Sequence, residues 1–432
     1  NCYPLTATQR DIYLDSLLFP HKRHNQLGFL THSTTVLDIG LWRTVLEDLY
    51  NHADSLRARI VRTRHALLDI AWQAIPATGT LPGSCLEFHY HGDIRLDEQA
   101  KQKAIATALF SPWEETDPLW RVHIHQFEGG DYLFILAAHH AMFDGVSIQM
   151  LGRMMKGNYQ KLVEGCAADY PANNYADFVH QHNLRCDSAA AYRFWQKQAE
   201  SLQAYLDFRP LLADRPDAFA SIEQRLDLAD WQKLESLCKS WRSSAALFFK
   251  AVFALAIKAW HHMEGSFCFT EVVLGRDKAF YTTQGLFFEQ QPVIINNDAT
   301  NPANSIAQLL ATLRQYRKQI MPYLPLSLRL QQQLLPSALP YLFNFYIMES
   351  ATAFFGKEEH IEHLMPEMDH AVNCIIKIID QQAHIQLMFN RQELQGEDFL
   401  ALMMHIIRQC LAGHTLIAEL LPVLAETSAG RW

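Results

Sequence analysis

The sequence Tyr132-Leu133-Phe134-Ile135-Leu136-Ala137-Ala138-His139-His140-Ala141-Met142-Phe143-Asp144-Gly145 contains the strongest signal in the chain. An apolar run of strand length ends in two histidines, and Asp-Gly follows within one turn. Such a run predicts a strand that is buried on both faces and holds the side chains at its end rigidly. A neutral imidazole placed there can accept a proton near physiological pH. The stretch therefore predicts a catalytic histidine pair, with Asp144 fixing the geometry and Gly145 beginning a helix.

A histidine at a strand end is more often a packed core residue than a catalyst, and adjacency of two histidines does not change this. The chain holds a second pair, His261-His262, which follows an Ala- and Phe-rich helical pattern and has no Asp-Gly after it. What distinguishes the first pair is the combination of buried strand, His-His, three spacers, Asp-Gly and a helical pattern. This combination is why we expect segment 132–145 to be catalytic.

Length and composition indicate a folded protein of two domains. The chain has 432 residues, of which 49% are hydrophobic, and a net charge of −9 without a basic block, so we expect no nucleic-acid partner. Its eight cysteines are scattered without CxxC spacing, which indicates reduced thiols and a cytoplasmic location. The most apolar helical stretch, Leu247 to Ile257, is too short to span a bilayer, so we expect no membrane association. Residue 1 is Asn, and we expect the chain to be a piece of a longer protein.

The periodicity is interrupted by polar residues and Pro171 between Asp169 and Ser188. We place the domain boundary there, with a first half at 1–176 and a second at 177–432. In the first half, alternation around a Gly-Gly turn predicts a hairpin at 119–138, and Ser55 to Val61 alternates like a strand. In the second half the patterns predict helices near 231–241, 244–262, 303–320 and 397–411, and strands at 267–274, 341–347, 372–379 and 383–389.

Several histidines fall at HxH or HxxH spacing, and each pair could ligate zinc if a third ligand converged on it. The pairs are His89 and His91, His123 and His125, and His360 and His363. No Cys or Glu cluster accompanies them in the sequence. We therefore interpret them as solvated strand or loop residues and expect no metal site.

His139 to Gly145 resembles the HHxxxDG motif of condensation domains of non-ribosomal peptide synthetases, which belong to the chloramphenicol-acetyltransferase-like superfamily. Five further stretches resemble that family's motifs, and all six occur in the family's order along nearly the whole chain. These stretches are Leu5-Thr6-Ala7-Thr8-Gln9, Asn51 to Arg59, Tyr175-Ala176-Asp177-Phe178, Gly275 to Phe288, and Leu342-Phe343-Asn344-Phe345. Singly each is weak, but six in order are specific.

The resemblance implies a fold of two mixed α/β halves that form a V-shaped pseudo-dimer with a central tunnel. It implies a function in non-ribosomal peptide or hybrid peptide-polyketide biosynthesis, including that of antibiotics. A carrier-bound acyl or peptidyl thioester is joined to a carrier-bound acceptor amine, and the product is an amide. The implied partners are donor and acceptor carrier proteins, whose phosphopantetheine arms enter from opposite faces, and adjacent synthetase domains. No cofactor bound by the domain itself and no metal are implied.

The resemblance also implies a role for individual residues. His140 matches the histidine that meets the nucleophile, and His139 is expected to pack inward and support the loop. Asp144 is expected to form an ion pair with Arg276 from the second half. Gly145 is expected to let the backbone approach the substrate. Three more residues are expected to line the substrate tunnel: Ser147, Gln290 and Asn344.

Two departures from the family pattern leave other functions open. Glu289-Gln290 replaces the usual Asn-Thr of the fifth motif, and Gly145-Val146-Ser147 is also common in epimerization domains. The alternatives are an epimerization domain, a condensation-like ester-forming acyltransferase and a non-catalytic recruitment domain. The Leu-Thr-x-x-Gln entry, the Gly275-Arg276-Asp277 element and Ile148 in place of a Trp favour condensation over epimerization. The retained second histidine and glycine argue against a recruitment domain.

Overall fold

The computed structural model describes residues 2–19, 25–65, 68–114, 117–171, 175–202, 219–335, 340–348, 361–364, 371–392 and 394–421. The chain forms two compact units, and each is described by itself. The first unit comprises Asn1–Leu184, Leu274–Phe288 and Ala351–Glu367, and the second comprises Arg185–Val273, Glu289–Ser350 and Met368–Trp432.

Strands and helices alternate along both units. In chain order they are β1 (Cys2–Pro4), α1 (Ala7–Leu18), β2 (Gln26–Ser33), α2 (Ile39–His52), α3 (Asp54–Arg57), β3 (Arg59–His65), β4 (Leu68–Ala74), β5 (Leu86–Tyr90), α4 (Glu98–Phe110), β6 (Trp120–Gln126), β7 (Tyr132–His139), α5 (Gly145–Val163), α6 (Tyr175–Arg185), α7 (Ala189–Ala199), β8 (Phe219–Arg225), α8 (Leu228–Ser240), α9 (Ala245–Trp260), β9 (Phe267–Leu274), β10 (Phe288–Ile295), α10 (Ile306–Ile320), α11 (Leu328–Leu334), β11 (Tyr341–Met348), β12 (Ile361–Leu364), β13 (Val372–Ile379), β14 (Gln382–Asn390), α12 (Gly396–Ala412) and α13 (Ile417–Leu420).

The main sheet of the first unit has the strand order β12-β2-β7-β6-β5, so the apolar strand β7 is central. Strands β6 and β7 pair antiparallel, which confirms the predicted hairpin, and β5 runs parallel to β6. One face packs against α2 and α5 through residues such as Trp42 and Phe134, and the other packs against α4 through Ala104 and Ile135. All eight residues of β7 are buried, as the sequence predicts. Each fully buried Leu, Ile or Phe of this strand contributes roughly 1.5–3 kcal/mol.

The second unit is built on a six-stranded sheet of order β10-β9-β11-β13-β14-β8. Strand β11 lies parallel to both β9 and β13, whereas β13, β14 and β8 pair antiparallel. Helices α8, α9, α10 and α12 pack in one core with this sheet, and every residue from Leu247 to Ile257 of α9 is buried. The helices and strands predicted for this half are confirmed to within a few residues at each end.

Two local expectations differ from the structure. Residues Ser55 to Arg57 form the short helix α3 rather than the start of a strand, because the Arg57 guanidinium bonds back to the carboxylate of Asp54 and to the carbonyl of Tyr50. The expected boundary after residue 176 falls inside α6, and the residues that follow are not all in one unit. Leu274–Phe288 and Ala351–Glu367 belong to the first unit because they pack there, the former against α5 and α6 and the latter through β12.

Among the described helices, none is both long and apolar enough to cross a membrane alone. Helices α8 and α9 meet that criterion only when taken together, and the chain bends by 95° between them.

Candidate functional site

The end of β7 is held by strands on both sides. The backbone N–H of His139 donates to the carbonyl of Leu119 at 2.9 Å, and the N–H of His140 donates to the carbonyl of Asn25 at 2.8 Å. The strand itself is fully buried between two helical layers. Because the backbone of both histidines is bonded on either side, their rings project from a rigid support.

His139 is buried, with 4% of its surface exposed. Its ring nitrogen Nδ1 accepts a hydrogen bond from the backbone N–H of Ala141 at 3.0 Å. The ring lies edge-on to Trp113, with centroids 6.5 Å apart. The structure therefore places His139 where the resemblance implies, packed inward and supporting the turn that follows the strand.

His140 is only partly buried, and its orientation is set by the same turn. Its Nδ1 lies 2.8 Å from the carbonyl oxygen of Phe143. A carbonyl can only accept, so Nδ1 carries the hydrogen and Nε2 is the basic nitrogen of the neutral ring. The ring packs against Phe288 with centroids 4.8 Å apart. The arrangement gives His140 a fixed tautomer whose Nε2 can accept a proton.

Asp144 joins the histidine turn to the helix and to a distant segment. Its Oδ1 accepts from the backbone N–H of Ser147 at 2.7 Å, which caps α5, and its Oδ2 accepts from the N–H of Phe287 at 2.8 Å. Arg276 Nη2 lies 3.9 Å from Oδ1, and both side chains are nearly inaccessible to solvent. A buried carboxylate is stable only when it is paired and hydrogen-bonded, and this one is. The structure thus brings Asp144 and Arg276 together within the first unit, since segment 274–288 belongs to it.

The Arg276 guanidinium connects three parts of this unit. Nη2 donates to the hydroxyl of Ser147 at 2.8 Å, and Nη1 donates to the carbonyl of Phe280 at 2.9 Å and to that of Thr283. Its Cζ lies 3.9 Å from the centroid of the Phe287 ring, which adds a cation–π contact. Burial lowers the pKa of Arg276 from its ordinary value, and the Asp144 carboxylate opposes this shift. Arg276 is therefore a positioning residue that holds segment 274–288 against α5.

Ser147 lies in the interior rather than on a substrate passage. It is fully buried, and its hydroxyl donates to the carbonyl of Gly285 at 2.6 Å while accepting from Arg276 and from the N–H of Gly285. With all of these bonds made inside the protein, the hydroxyl has no free surface to offer a substrate. The expectation that Ser147 lines the tunnel is replaced by a structural role.

Gly145 is the first residue of α5 and does not have the positive φ angle that would require glycine. A Cβ added to it would meet no heavy atom of the described chain within 4 Å. The idea that unusual backbone angles explain this glycine is therefore wrong. Neither the backbone nor the packing requires it, so its small size is open to use by a ligand.

Gly285 and Tyr175 also hold the site, although the sequence analysis did not single them out as site residues. Gly285 has φ 154°, and a Cβ there would lie 2.2 Å from the ring of Tyr175. The Tyr175 hydroxyl donates to the carbonyl of Leu286 at 3.0 Å. Both residues lie in stretches that resemble family motifs, so their types were visible in the sequence. Their contact with each other, across more than a hundred residues, was not.

Gln9 connects the first motif to the histidine turn. Thr6 and Gln9 form a capping box at the start of α1, and Gln9 is fully buried. Its Nε2 lies 3.5 Å from the sulfur of Met142, and its Oε1 accepts from Gln73 at 2.8 Å. The first motif thus supports the loop that carries His140 through packing and hydrogen bonds.

Gln290 and Asn344 belong to the second unit. Gln290 lies in β10, and its backbone carbonyl accepts from Gln331 at 2.6 Å. Asn344 lies in β11 opposite Ile375 of β13 and is partly buried. A substrate-binding role for these two residues stays a prediction, as do the V shape and the tunnel.

The histidines at HxH spacing are not all solvated. His123 and His125 are 1% and 2% exposed, because Ile135 and Leu133, their partners on β7, belong to the layer that helix α4 covers. The interpretation of these two residues as solvated is therefore wrong. His360 lies outside the described residues.

A family model described as the condensation domain matches residues 1–412. A nonribosomal peptide synthetase of Aspergillus campestris, ungA′, is 23% identical over 278 residues, which is 64% of this chain and 3% of that protein. The chain spans between 3% and 8% of the length of the first curated relatives that it matches.

Solved structures of the same fold include domains with two different names. The starter condensation domain of rhizomide synthetase RzmA matches with a TM-score of 0.76 and 16% identity, covering 96% of this chain and 98% of that one. The epimerization domain from the third module of tyrocidine synthetase B matches with a TM-score of 0.74 and 17% identity, covering 97% of each chain. At these identities the likeness shows the mixed α/β fold that the sequence predicts, and it does not separate the two reactions.

Proposed function

We propose that this chain, which belongs to the condensation-domain family, forms an amide bond between two carrier-bound substrates. The donor is an acyl or peptidyl thioester, and the acceptor is the amine of an aminoacyl thioester. The amine nitrogen attacks the donor carbonyl, the C–S bond breaks, and the lengthened chain remains on the acceptor. The proton lost by the amine ends on the departing donor thiolate, so the reaction requires no oxidant or reductant. The enzyme is then an acyltransferase.

The observation that carries the proposal is the fixed tautomer of His140. Its Nδ1 is committed to the Phe143 carbonyl at 2.8 Å, which leaves Nε2 as the base. Removal of the amine proton by a positioned base accelerates such reactions by roughly 10²–10⁴-fold. Holding the amine against the carbonyl gives a further acceleration that requires no charge. His140 serves both purposes because its ring is fixed on a rigid strand end.

Asp144, Ser147 and Arg276 act on the reaction through His140 rather than on the substrate. Their side chains are buried and bonded to one another and to segment 274–288. That segment leads to Phe288, against which the ring of His140 packs. The ion pair therefore holds the wall of the site, and Gly145 leaves room for the substrate beside it.

The partners that this function requires are a donor carrier protein and an acceptor carrier protein, each bearing a phosphopantetheine arm. The thioesters supply the activation energy, so we expect no cofactor bound by the domain itself. Free amino acids react poorly in this proposal, because the arm supplies a high effective concentration of its substrate. The small share of the relatives' length that the chain spans supports adjacent synthetase domains as further partners.

The test supplies one loaded donor carrier with either an amine or an alcohol acceptor and measures the intact mass of each carrier. A parallel reaction holds one aminoacyl carrier in deuterated water. Amide on the second carrier supports the proposal, and ester product would favour the ester-forming acyltransferase. Deuterium at Cα without a new bond would identify an epimerase, the alternative favoured by Gly145-Val146-Ser147.

The matched control is His262→Ala, which changes the other histidine pair and should leave the product unchanged. No product and no exchange in any reaction, from a protein that melts cooperatively, would favour a recruitment domain.

A further inference from the structure

Four histidines gather where β5 pairs with β6 in the first unit, and we refer to His89, His91, His123 and His125 as the histidine cluster. The two strands run parallel, with Glu87 opposite His123 and His89 opposite His125. Alternate residues of a strand point to the same face, so Glu87 lies on the face that carries the histidines. The function proposed above uses none of these side chains.

The imidazole nitrogens of the cluster are close enough to share an ion. His89 Nε2 lies 3.0 Å from His123 Nδ1, and His91 Nε2 lies 2.9 Å from His125 Nδ1. One ligand nitrogen from each of His89, His123 and His125 lies within 4.8 Å of the other two. With Zn–N bonds of about 2.0–2.1 Å, two nitrogens at a tetrahedral zinc ion are about 3.3 Å apart. Small ring rotations bring the three nitrogens to that spacing.

Two nitrogens of the cluster are buried without a partner. Nε2 of His123 and Nε2 of His125 have no hydrogen-bond partner among the described residues, although both side chains are at least nine-tenths buried. Buried polar atoms are nearly always satisfied by protein, water or an ion. The contacts to His89 and His91 occupy the other nitrogen of each ring. The cluster therefore has more ligand atoms than the protein itself uses.

The electrostatic environment favours neutral imidazoles, the form that binds metals. Burial, followed by the charges of neighbouring histidines, lowers the pKa of His123 to about 3 and that of His125 to about 3. Glu87 supplies the nearby negative charge, with Oε2 3.5 Å from His89 Nε2 and 3.9 Å from His123 Nδ1. Three imidazoles and one carboxylate form a ligand set that zinc commonly takes.

We propose that His89, His123 and His125, together with Glu87, bind a zinc ion that fastens the edge strand β5 to β6. His89 is the entry to the site, because 27% of its side chain is exposed whereas the two residues on β6 are buried. The site lies entirely within the first unit. Its role is structural, since the ion stabilises the folded protein over the unfolded chain.

The experiment titrates the metal-free full chain with Zn²⁺ against a chromophoric chelator and follows the melting temperature in parallel. We expect one ion per chain, a melting temperature that rises with zinc concentration and reversal by a chelator. His89→Gln should weaken zinc binding by at least about tenfold, because it removes a ligand at an accessible position. His123→Gln is the second variant and should have the same effect if it folds.

The matched control is His32→Gln, which alters a histidine of the same sheet that pairs with Asp131 at 2.8 Å. It should bind zinc like the wild type, and so should His140→Ala, which separates this inference from the amide-forming function. Binding that His89→Gln leaves unchanged, or an absence of stoichiometric binding, would overturn the proposal and indicate an adventitious ion only.

Discussion

The chain contains two His-His pairs whose surroundings differ. His139-His140 ends a buried strand and is followed by Asp144, which caps the next helix. His261-His262 ends helix α9, where His262 has φ 49° and closes the turn with its N–H on the carbonyl of Ala259. The same dipeptide thus begins a site in one unit and ends a helix in the other. The element that follows the pair, rather than the pair itself, decides its chemistry.

The difference extends to the ring nitrogens. His140 contacts a carbonyl, which cannot donate and therefore fixes the tautomer. His261 contacts the hydroxyl of Tyr341 at 2.7 Å, and a hydroxyl can donate or accept. Only the first pair has a base whose protonated nitrogen is determined by the backbone.

The largest expected effect is on catalysis at the first pair. His140→Ala should slow amide formation by at least roughly tenfold, and by up to about 10⁴-fold if proton removal limits the reaction. His262→Ala should leave the rate unchanged because its pair has no role in the reaction. The measurement is the single-turnover rate from the intact mass of the acceptor carrier. Equal rates for His140→Ala and the wild type, at equal melting temperature, would remove His140 from the mechanism.

His139→Ala serves as the internal counterpart of that variant. It leaves the N–H of Ala141 without its acceptor, which costs about 1–3 kcal/mol when the group is buried. We expect its free energy of unfolding to fall while its rate falls less than that of His140→Ala.

The second prediction concerns the aspartate that distinguishes the first pair from the second. Asp144→Asn leaves the buried Arg276 charge without its counter-ion and should lower the free energy of unfolding by about 3–5 kcal/mol. The matched control is Asp97→Asn, an exposed cap at the start of α4, where Asn caps equally well. Urea unfolding measures both. An Asp144→Asn variant as stable as the wild type would contradict the role given to the ion pair.

The third prediction compares two glycines of the site. Gly285→Ala should destabilise the protein by about 1–3 kcal/mol, because its backbone angle is strained for other residues and its Cβ would overlap Tyr175. Gly145→Ala should melt like the wild type, since its Cβ meets no described atom, yet form amide more slowly if substrate uses that space. Thermal unfolding and the carrier assay are the readouts. Loss of stability at Gly145 with none at Gly285 would reverse the assignment.

The smallest effect is expected at the second pair and depends on pH. Burial lowers the pKa of His261 from 6.5 to about 4. Between these values the unfolded chain binds a proton that the folded protein does not, so stability decreases as the pH falls from 6.5 towards 4. His261→Gln should make urea unfolding less sensitive to pH across this window. Parallel stability curves for the variant and the wild type would show that His261 contributes nothing.

Much of the fold could be predicted because local patterns determine it. The apolar run of β7, the Gly-Gly turn before it and the helical period after Gly145 each specify their element within the segment itself. Within the site, the type and order of His140, Asp144 and Arg276 were visible in the sequence, and the structure brings Asp144 and Arg276 together.

Long-range packing could not be predicted in the same way. The unit to which segment 274–288 belongs depends on its contacts with residues such as Ser147 and Tyr175, which are more than a hundred positions away. His123 and His125 alternate with apolar residues and therefore resemble the solvated face of a strand. Helix α4 covers the layer to which they belong, and nothing in their own segment indicates this.

The tautomer of His140 is the most direct test of the account, and nitrogen-15 NMR of histidine-labelled protein measures it, with His140→Gln used to assign the signal. We predict that the neutral ring carries its hydrogen on Nδ1, because the Phe143 carbonyl accepts it. A neutral His140 with its hydrogen on Nε2 would have no base to offer an incoming amine and would contradict the account.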